Sequence, residues 1–253
     1  MRVQFLGTGG YHPNERRQTA CIYLPDLGVV FDAGTAMFRL PSRLESNELT
    51  LFLSHAHLDH IAGLTYLLPA IGTGKLKKMT VYGTTPTLEA VRNHLFAKPV
   101  FPILPDLDFR ALDGISEVHL PQGAVLTHHP LVSHPGGSTA YRIDWSGNDR
   151  TRGQSLAYVT DTTVDGTYTD FIRGVDLLIH ECYFPDSATE LAAMTGHSHT
   201  TPVARLASNA EVTRLLLVHV NPEDESDDPI GIARACSIFA NTQIAEDSLT
   251  IRC

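Results

Sequence analysis

At 253 residues, 43% of them hydrophobic, the chain is long enough to bury one large core or two fused halves. Its 28 acidic residues outweigh 19 basic ones for a formal net charge of −9 at pH 7, with no basic run beyond Lys75-Leu76-Lys77-Lys78. That balance speaks against nucleic acid as a partner, since polyanion binding draws on cationic surface. Four scattered cysteines (Cys21, Cys182, Cys236, Cys253) form no C-x-x-C pair, so neither a disulfide framework nor a thiolate zinc site is indicated. No apolar stretch reaches the length of a membrane span, and Met1 leads straight into a strand without the charged and apolar regions of a secretory leader. The expected location is a reducing cytoplasm, with no membrane partner.

In chain order, residues 2–6, 19–24 and 28–32 read as strands joined by glycine and proline turns. A further apolar run at 49–54 ends in a polar turn. Residues 61–70 and 85–97 read as helices around a strand at 79–83, and Pro99 to Pro105 forms a proline-rich crossing, with a seam expected near residue 110. The second half repeats the plan. Strands are expected at 117–120, 124–132, 138–145 and 155–160, the last two joined through Ser146-Gly147-Asn148-Asp149. Helices are expected near 168–173, 187–194, 202–209 and 229–240, with strands near 175–180, 213–218 and 248–253. No low-complexity segment or linker interrupts the pattern, so residues 1–253 are expected to form a single domain built of two αβ halves.

The densest chemistry lies in His55-Ala56-His57-Leu58-Asp59-His60, which follows the apolar run at 49–54. Imidazole and carboxylate are the ligand set that suits Zn, Mn or Fe. His55 and His57 stand at i and i+2, so in extended chain they point to one side and can share one metal. Asp59 and His60 follow the turn and can face a second. Two other candidates close apolar runs of buried-strand type: Asp161 after 156–160 and His219 after 215–218. Side chains grouped at the carboxyl ends of strands are where layered α/β proteins place their sites.

These motifs resemble those of the metallo-β-lactamase superfamily along nearly the whole chain. Phe5-Leu6-Gly7-Thr8-Gly9-Gly10 is similar to its first strand and glycine turn, and Phe31-Asp32-Ala33-Gly34-Thr35 to the turn before its metal loop. His134-Pro135-Gly136-Gly137-Ser138, Tyr158-Val159-Thr160-Asp161-Thr162 and Leu217-Val218-His219-Val220-Asn221-Pro222 then fall in the family's order. The resemblance implies an α/β fold, a four-layer αββα sandwich of two mixed sheets. It also implies two divalent metal ions, zinc first and Mn or Fe as alternatives. His55, His57 and His134 would hold the first, Asp59, His60 and His219 the second, and Asp161 would bridge them. Asp32 is expected to orient a ligand histidine, as a hydrogen-bond acceptor behind the ring.

The resemblance is to the ribonuclease Z-like branch, in which a histidine opening a late helix acts on the metal-bound phosphate and a glutamate orients it. His197-Ser198-His199-Thr200-Thr201-Pro202 stands before an alanine-rich helix, with Pro202 in its first turn and a threonine as expected N-cap. His197 occupies the catalytic place and His199 is its rival; Glu181, in His180-Glu181-Cys182, matches the glutamate. For Glu181 a surface strand-end carboxylate is the competing reading. His180 is expected to pack rather than ligate, and Asp227-Asp228 to cap a helix rather than line a site.

Two metals would lower the pKa of a shared water toward neutrality and clamp an anionic electrophile, with Asp59 steering the nucleophile. Phosphodiester hydrolysis fits best, because its alkoxide leaving group gives His197 a role. The bridging residue is Asp161 rather than a cysteine, and Leu58 stands where an oxygen-reducing diiron branch carries a glutamate, which favours hydrolysis over redox. Ribonuclease Z enzymes carry a long basic arm between the segments matching His134 and Asp161, where this chain has only the 26 residues 135–160. Small anionic phosphodiesters are therefore the expected substrates and tRNA is not. Lactone, other carbonyl-ester or sulfate-ester hydrolysis is the alternative, a catalytically silent scaffold the remote one, and a second copy of the chain the protein partner left open.

Overall fold

The computed structural model describes residues 1–147 and 153–253. It falls into two compact units, Met1–Ser116 with Glu246–Arg252 and Glu117–Ala245 with Cys253. Each contains one mixed seven-stranded sheet.

In the first unit the sheet runs β14 (Thr250–Arg252), β1 (Arg2–Gly7), β2 (Cys21–Leu24), β3 (Val29–Phe31), β4 (Glu48–Phe52), β5 (Lys78–Gly83), β6 (Asp108–Ala111). The pairs from β14 to β3 are antiparallel and those from β3 to β6 parallel. Helices α1 (Leu58–Ile61), α2 (Leu68–Gly72) and α3 (Thr85–Ala90) lie in the crossovers that parallel neighbours require. Leu64, Leu67, Leu88 and Val91 from this helical part form one core with Leu6, Tyr23, Val30, Leu51 and Val81 from the strands. Full burial of one such side chain stabilises by about 1.5–3 kcal/mol.

The second unit repeats the scheme. Its sheet runs β13 (Thr242–Ile244), β12 (Leu215–Val218), β11 (Leu177–Glu181), β10 (Gln154–Val159), β9 (Ser138–Trp145), β8 (Ala124–Leu131), β7 (Glu117–His119). The pairs from β13 to β10 are parallel and the remainder antiparallel. Helices α4 (Thr189–Thr195), α5 (Thr200–Asn209) and α6 (Ile232–Ile238) follow β11 and β12. Val203, Ala204, Leu206 and Ala207 of α5 pack with Ala157, Val159, Leu178, Leu215 and Leu217.

Several elements depart from the sequence reading. The helix expected at 168–173 is a series of turns, in which Thr169 and Arg173 bond the carbonyls three residues back, at Gly166 and Asp170, and among the described residues there only Ile172 makes a bond of helical span, to Tyr168. The stretch expected as one helix at 61–70 is broken into α1, a 3-10 segment Ala62–Leu67 and α2. The helix from 85 changes to a π-turn at Val91–Leu95. Gly231, at a φ of 73°, delays α6 to Ile232. The edge strands β6 and β13 and a 3-10 segment at Thr35–Ser42 had no periodic signal to announce them. Asn148 and Asp149 of the expected hairpin turn lie outside the described residues. Among the described residues no helix is long and apolar enough to cross a membrane.

Candidate metal centre

Several of the chemistry-bearing residues follow the carboxyl ends of parallel strands, while His134 follows the antiparallel strand β8 and His197 lies between α4 and α5. In the first unit β3 delivers Asp32 and β4 delivers Ser54 and His55; in the second, β10 delivers Asp161, β11 ends in Glu181 and β12 delivers His219. Asp32, Asp161 and His219 each leave their strand with a positive φ, of 56°, 51° and 56°. Such a backbone costs non-glycine residues of order 1–3 kcal/mol each, and clusters where side chains must be aimed.

In the first unit a buried carboxylate organises the metal loop. Asp32 Oδ1 accepts from the Ser54 backbone nitrogen at 2.7 Å, and Oδ2 from Ser54 Oγ at 2.9 Å and His60 Nδ1 at 2.8 Å. Ser54 has one proton and gives it to Asp32, so its oxygen accepts from His55 Nδ1 at 3.0 Å. In the neutral rings, both His55 and His60 are thereby held with hydrogen on Nδ1 and a lone pair on Nε2, the form that binds a metal. The His55 ring centre lies 4.4 Å from that of His57 and 4.3 Å from that of His60. His57 is exposed at the N-terminus of α1. Asp59 Oδ2 stands 3.2 Å from His60 Nε2 and accepts from the Tyr11 backbone nitrogen at 2.8 Å.

In the second unit Asp161 is flanked by two imidazoles, one at each oxygen. His134 Nε2 lies 3.6 Å from Oδ2 and His219 Nε2 lies 3.2 Å from Oδ1. His134 Nδ1 donates to the Gly196 carbonyl at 3.3 Å, which again leaves a lone pair on Nε2 of the neutral ring. Nitrogen lone pairs facing carboxylate oxygens, at His60–Asp59 and at His134–Asp161, repel unless a cation is shared between them. The donor set therefore fits divalent metal, and its nitrogen and oxygen chemistry fits zinc, manganese or iron.

Glu181 is fully buried, not a surface strand-end group. Its Oε1 accepts from the Thr162 backbone nitrogen at 2.6 Å and from His197 Nδ1 at 3.1 Å, and its Oε2 from the Ser198 backbone nitrogen at 3.1 Å. Glu181, His197 and His219 offer donor atoms within 4.8 Å of one another, but Glu181's oxygens are already engaged, which makes it a positioning group rather than a ligand. The His197 ring stacks on Tyr183 at 4.6 Å and an interplanar angle of 15°, with His134 at 4.8 Å and His219 at 5.3 Å between centres.

His199 turns elsewhere. It is itself the N-cap of α5, where a threonine had been expected, and its Nδ1 donates to Asp186 Oδ1 at 2.7 Å. Burial works against ionisation of Asp186, but hydrogen bonds from Thr201 and His199 outweigh it and hold the carboxyl below its usual range. His180 is buried between the Tyr168 hydroxyl, which donates to Nε2 at 2.9 Å, and the Glu181 carbonyl at Nδ1, and burial lowers its pKa. Asp228 Oδ1 accepts from the Ile232 backbone nitrogen, a cap for α6. Sequence reasoning missed Ser54, Tyr183 and Asp186: each works through a partner remote in the chain or through ring stacking, for which residue spacing carries no signal.

The beta-lactamase superfamily domain matches residues 18–220. Ribonuclease Z of Prochlorococcus marinus (strain MIT 9313) is 28% identical over 309 residues, covering 99% of this chain and 97% of its own length. Among solved structures, the metallo-beta-lactamase fold protein YhfI from Bacillus subtilis superposes with a TM-score of 0.79 at 22% identity, covering 99% of this chain and 98% of its own. A diphosphatase from the PhnP family does so at 0.72 and 17% identity, covering 99% and 97%. The mixed sheets, the flanking helices and the histidine-rich strand ends are those of this fold, and the chain belongs to the metallo-β-lactamase superfamily as a distant relative of ribonuclease Z.

Proposed function

We propose that the chain is a dinuclear metal-dependent hydrolase that cleaves small anionic phosphodiesters. One divalent metal would be held by His55, His57 and His134 and a second by Asp59, His60 and His219, with Asp161 as the shared carboxylate; zinc is the first choice. When bound, such a metal pair supplies a nucleophile at neutral pH and neutralises the charge that grows on the phosphoryl oxygens. The chain's own residues divide the remaining work. Asp32 and Ser54 fix the imidazoles of the metal loop before anything binds. Asp59 orients the attacking group. His197 donates a proton to the departing oxygen, while Glu181 holds its Nδ1 side and balances the ring's charge when it is protonated, the division of labour seen in carboxylate–histidine pairs.

The observation that carries this reading is the Glu181–His197 pair standing beside Asp161, His134 and His219. Carbonyl esters and lactones place less demand on a separate proton donor, so a chain built for them has less use for a fully buried carboxylate behind His197. The ribonuclease Z relative and the diphosphatase of similar fold support phosphate chemistry.

The test is turnover by the metal-loaded protein on bis(p-nitrophenyl) phosphate, p-nitrophenyl phosphate, a chromogenic lactone and p-nitrophenyl sulfate, with metal content measured in parallel. The diester should be the preferred substrate and about two metal ions per chain should be found. Asp161→Ala should lose at least one metal and nearly all activity. Preference for lactone or sulfate would overturn the phosphodiesterase assignment, and an unchanged metal content in Asp161→Ala would overturn the shared-carboxylate assignment.

A further inference from the structure

His199 opens α5 but its side chain does not cap it; Asp186, from the segment before α4, does so instead. Asp186 Oδ1 accepts from His199 Nδ1 at 2.7 Å and from the Thr201 backbone nitrogen at 2.8 Å, and Arg234 Nε donates to Thr201 Oγ1 at 3.1 Å. With Nδ1–H committed to Asp186, Nε2 is the ring nitrogen left to meet a ligand, and it has no hydrogen-bond partner among the described residues. The ring lines a cavity of about 120 Å³ whose wall also includes His197, Thr163, Val164, Ala192 and Ala193. That volume matches about four water molecules, well below the several hundred cubic ångströms of pockets for drug-sized ligands. It suits a single small ring. Val164, Ala192, Ala193 and Pro202 give the wall short apolar faces suited to C–H groups, and His199 stands among its polar members with its ring fixed by Asp186.

We propose that this cavity receives the sugar ring of a nucleotide-type phosphodiester, with His199 Nε2 accepting a hydrogen bond from a ring hydroxyl. The proposal rests on the phosphodiesterase reading, because His197 in the same wall places the cavity beside the ester oxygen that leaves. His199 is then a specificity residue and Asp186 its positioning residue. If the Asp186–His199 pair served only to start α5, replacing His199 would change stability and leave ligand preference untouched.

The experiment reads binding, not turnover, by calorimetry on the metal-loaded protein with uridine 5′-monophosphate and 2′,3′-dideoxyuridine 5′-monophosphate. Wild type should bind the hydroxylated compound about tenfold more tightly, the scale of one net hydrogen bond. His199→Ala should bind both with the affinity wild type shows for the dideoxy compound. Asp186→Asn, which keeps the shape but loosens the ring, should retain only part of the preference and serves as the second variant if His199→Ala is unstable. Equal binding of the two compounds by wild type, or a preference that survives His199→Ala, overturns the proposal. A His199-dependent preference in a protein that cleaves none of the diesters would leave this site standing and remove the phosphodiesterase reading.

Discussion

Glu181 decides how the second unit aims its side chains. One carboxylate, with no exposure to solvent, takes hydrogen bonds from the residue after Asp161, from the residue after His197 and from the His197 ring. Glu181→Gln keeps the volume but replaces an acceptor oxygen with an NH2 group, so at least one of three donors loses its partner. The expected result is a folded protein with its metals retained and diester turnover reduced about 10–100-fold, the usual cost of losing an orienting partner. The double variant Glu181→Gln/His197→Ala should turn over no more slowly than His197→Ala alone, because the two act as a unit. Additive losses in that cycle would show that Glu181 acts through Asp161 and not through His197. The residue types of this site were legible because ligand chemistry is written in type and spacing: three histidines and an aspartate within six positions, and Asp161 and His219 closing apolar runs. The supports were less so. Nothing local in Ser54 announces that it relays Asp32 to His55, and Asp186 reaches His199 across an intervening helix.

At the scale of elements, the metal loop is held by the close approach of backbone to backbone around Gly34 and Gly63. A β-carbon on Gly34 would lie 2.2 Å from the Asp59 carbonyl and 2.4 Å from Thr19 Oγ1; one on Gly63 would lie 2.1 Å from the Gly34 carbonyl. The broken helix after the loop has its reason here. A regular helix over 61–70 would have to keep Gly63 clear of the turn that its backbone nitrogen instead bonds, through the Ala33 carbonyl at 2.7 Å. Gly34→Ala should therefore push the Asp59 segment outward, costing about 1–3 kcal/mol as overpacking does and lowering Tm by several degrees. It should also weaken metal retention at limiting metal. Gly72→Ala, where a β-carbon meets nothing within 4 Å at the end of α2, is the control and should be neutral or slightly stabilising. A Gly34→Ala protein with wild-type Tm and metal content would show that the loop tolerates the displacement. Strands with apolar runs, such as β10 and β12, were readable because all but the first position of β10 and every position of β12 are buried. The edge strands β6 and β13 were not, since their short, half-exposed sequences carry no period and their pairing is imposed by the neighbouring strand.

At the scale of the whole molecule, the proposed restriction to small diesters rests on net charge and on the short span between His134 and Asp161. The alignment with ribonuclease Z of Prochlorococcus spans 309 residues against a chain of 253, so the relative carries segments without a counterpart here. Between His134 and Asp161, where the resemblance leads one to expect a basic arm, the chain has β9, β10 and their connection. The formal charge of −9 adds repulsion toward any polyanion. On the proposed reading a small diester would need neither arm nor basic field, because the metal ligands and His197 would meet its reacting atoms directly. Under conditions that give full turnover of bis(p-nitrophenyl) phosphate, a precursor tRNA should be left uncut. Lowering the salt should do little to help, since binding strengthens on dilution of salt only in proportion to the phosphates that the protein neutralises. The measurement is trimming of a labelled precursor tRNA over a salt series, beside the diester assay. Efficient trimming with a steep inverse dependence on salt would mean that this chain grips RNA with a surface other than the missing arm, and the restriction to small substrates would fall while the metal chemistry stood.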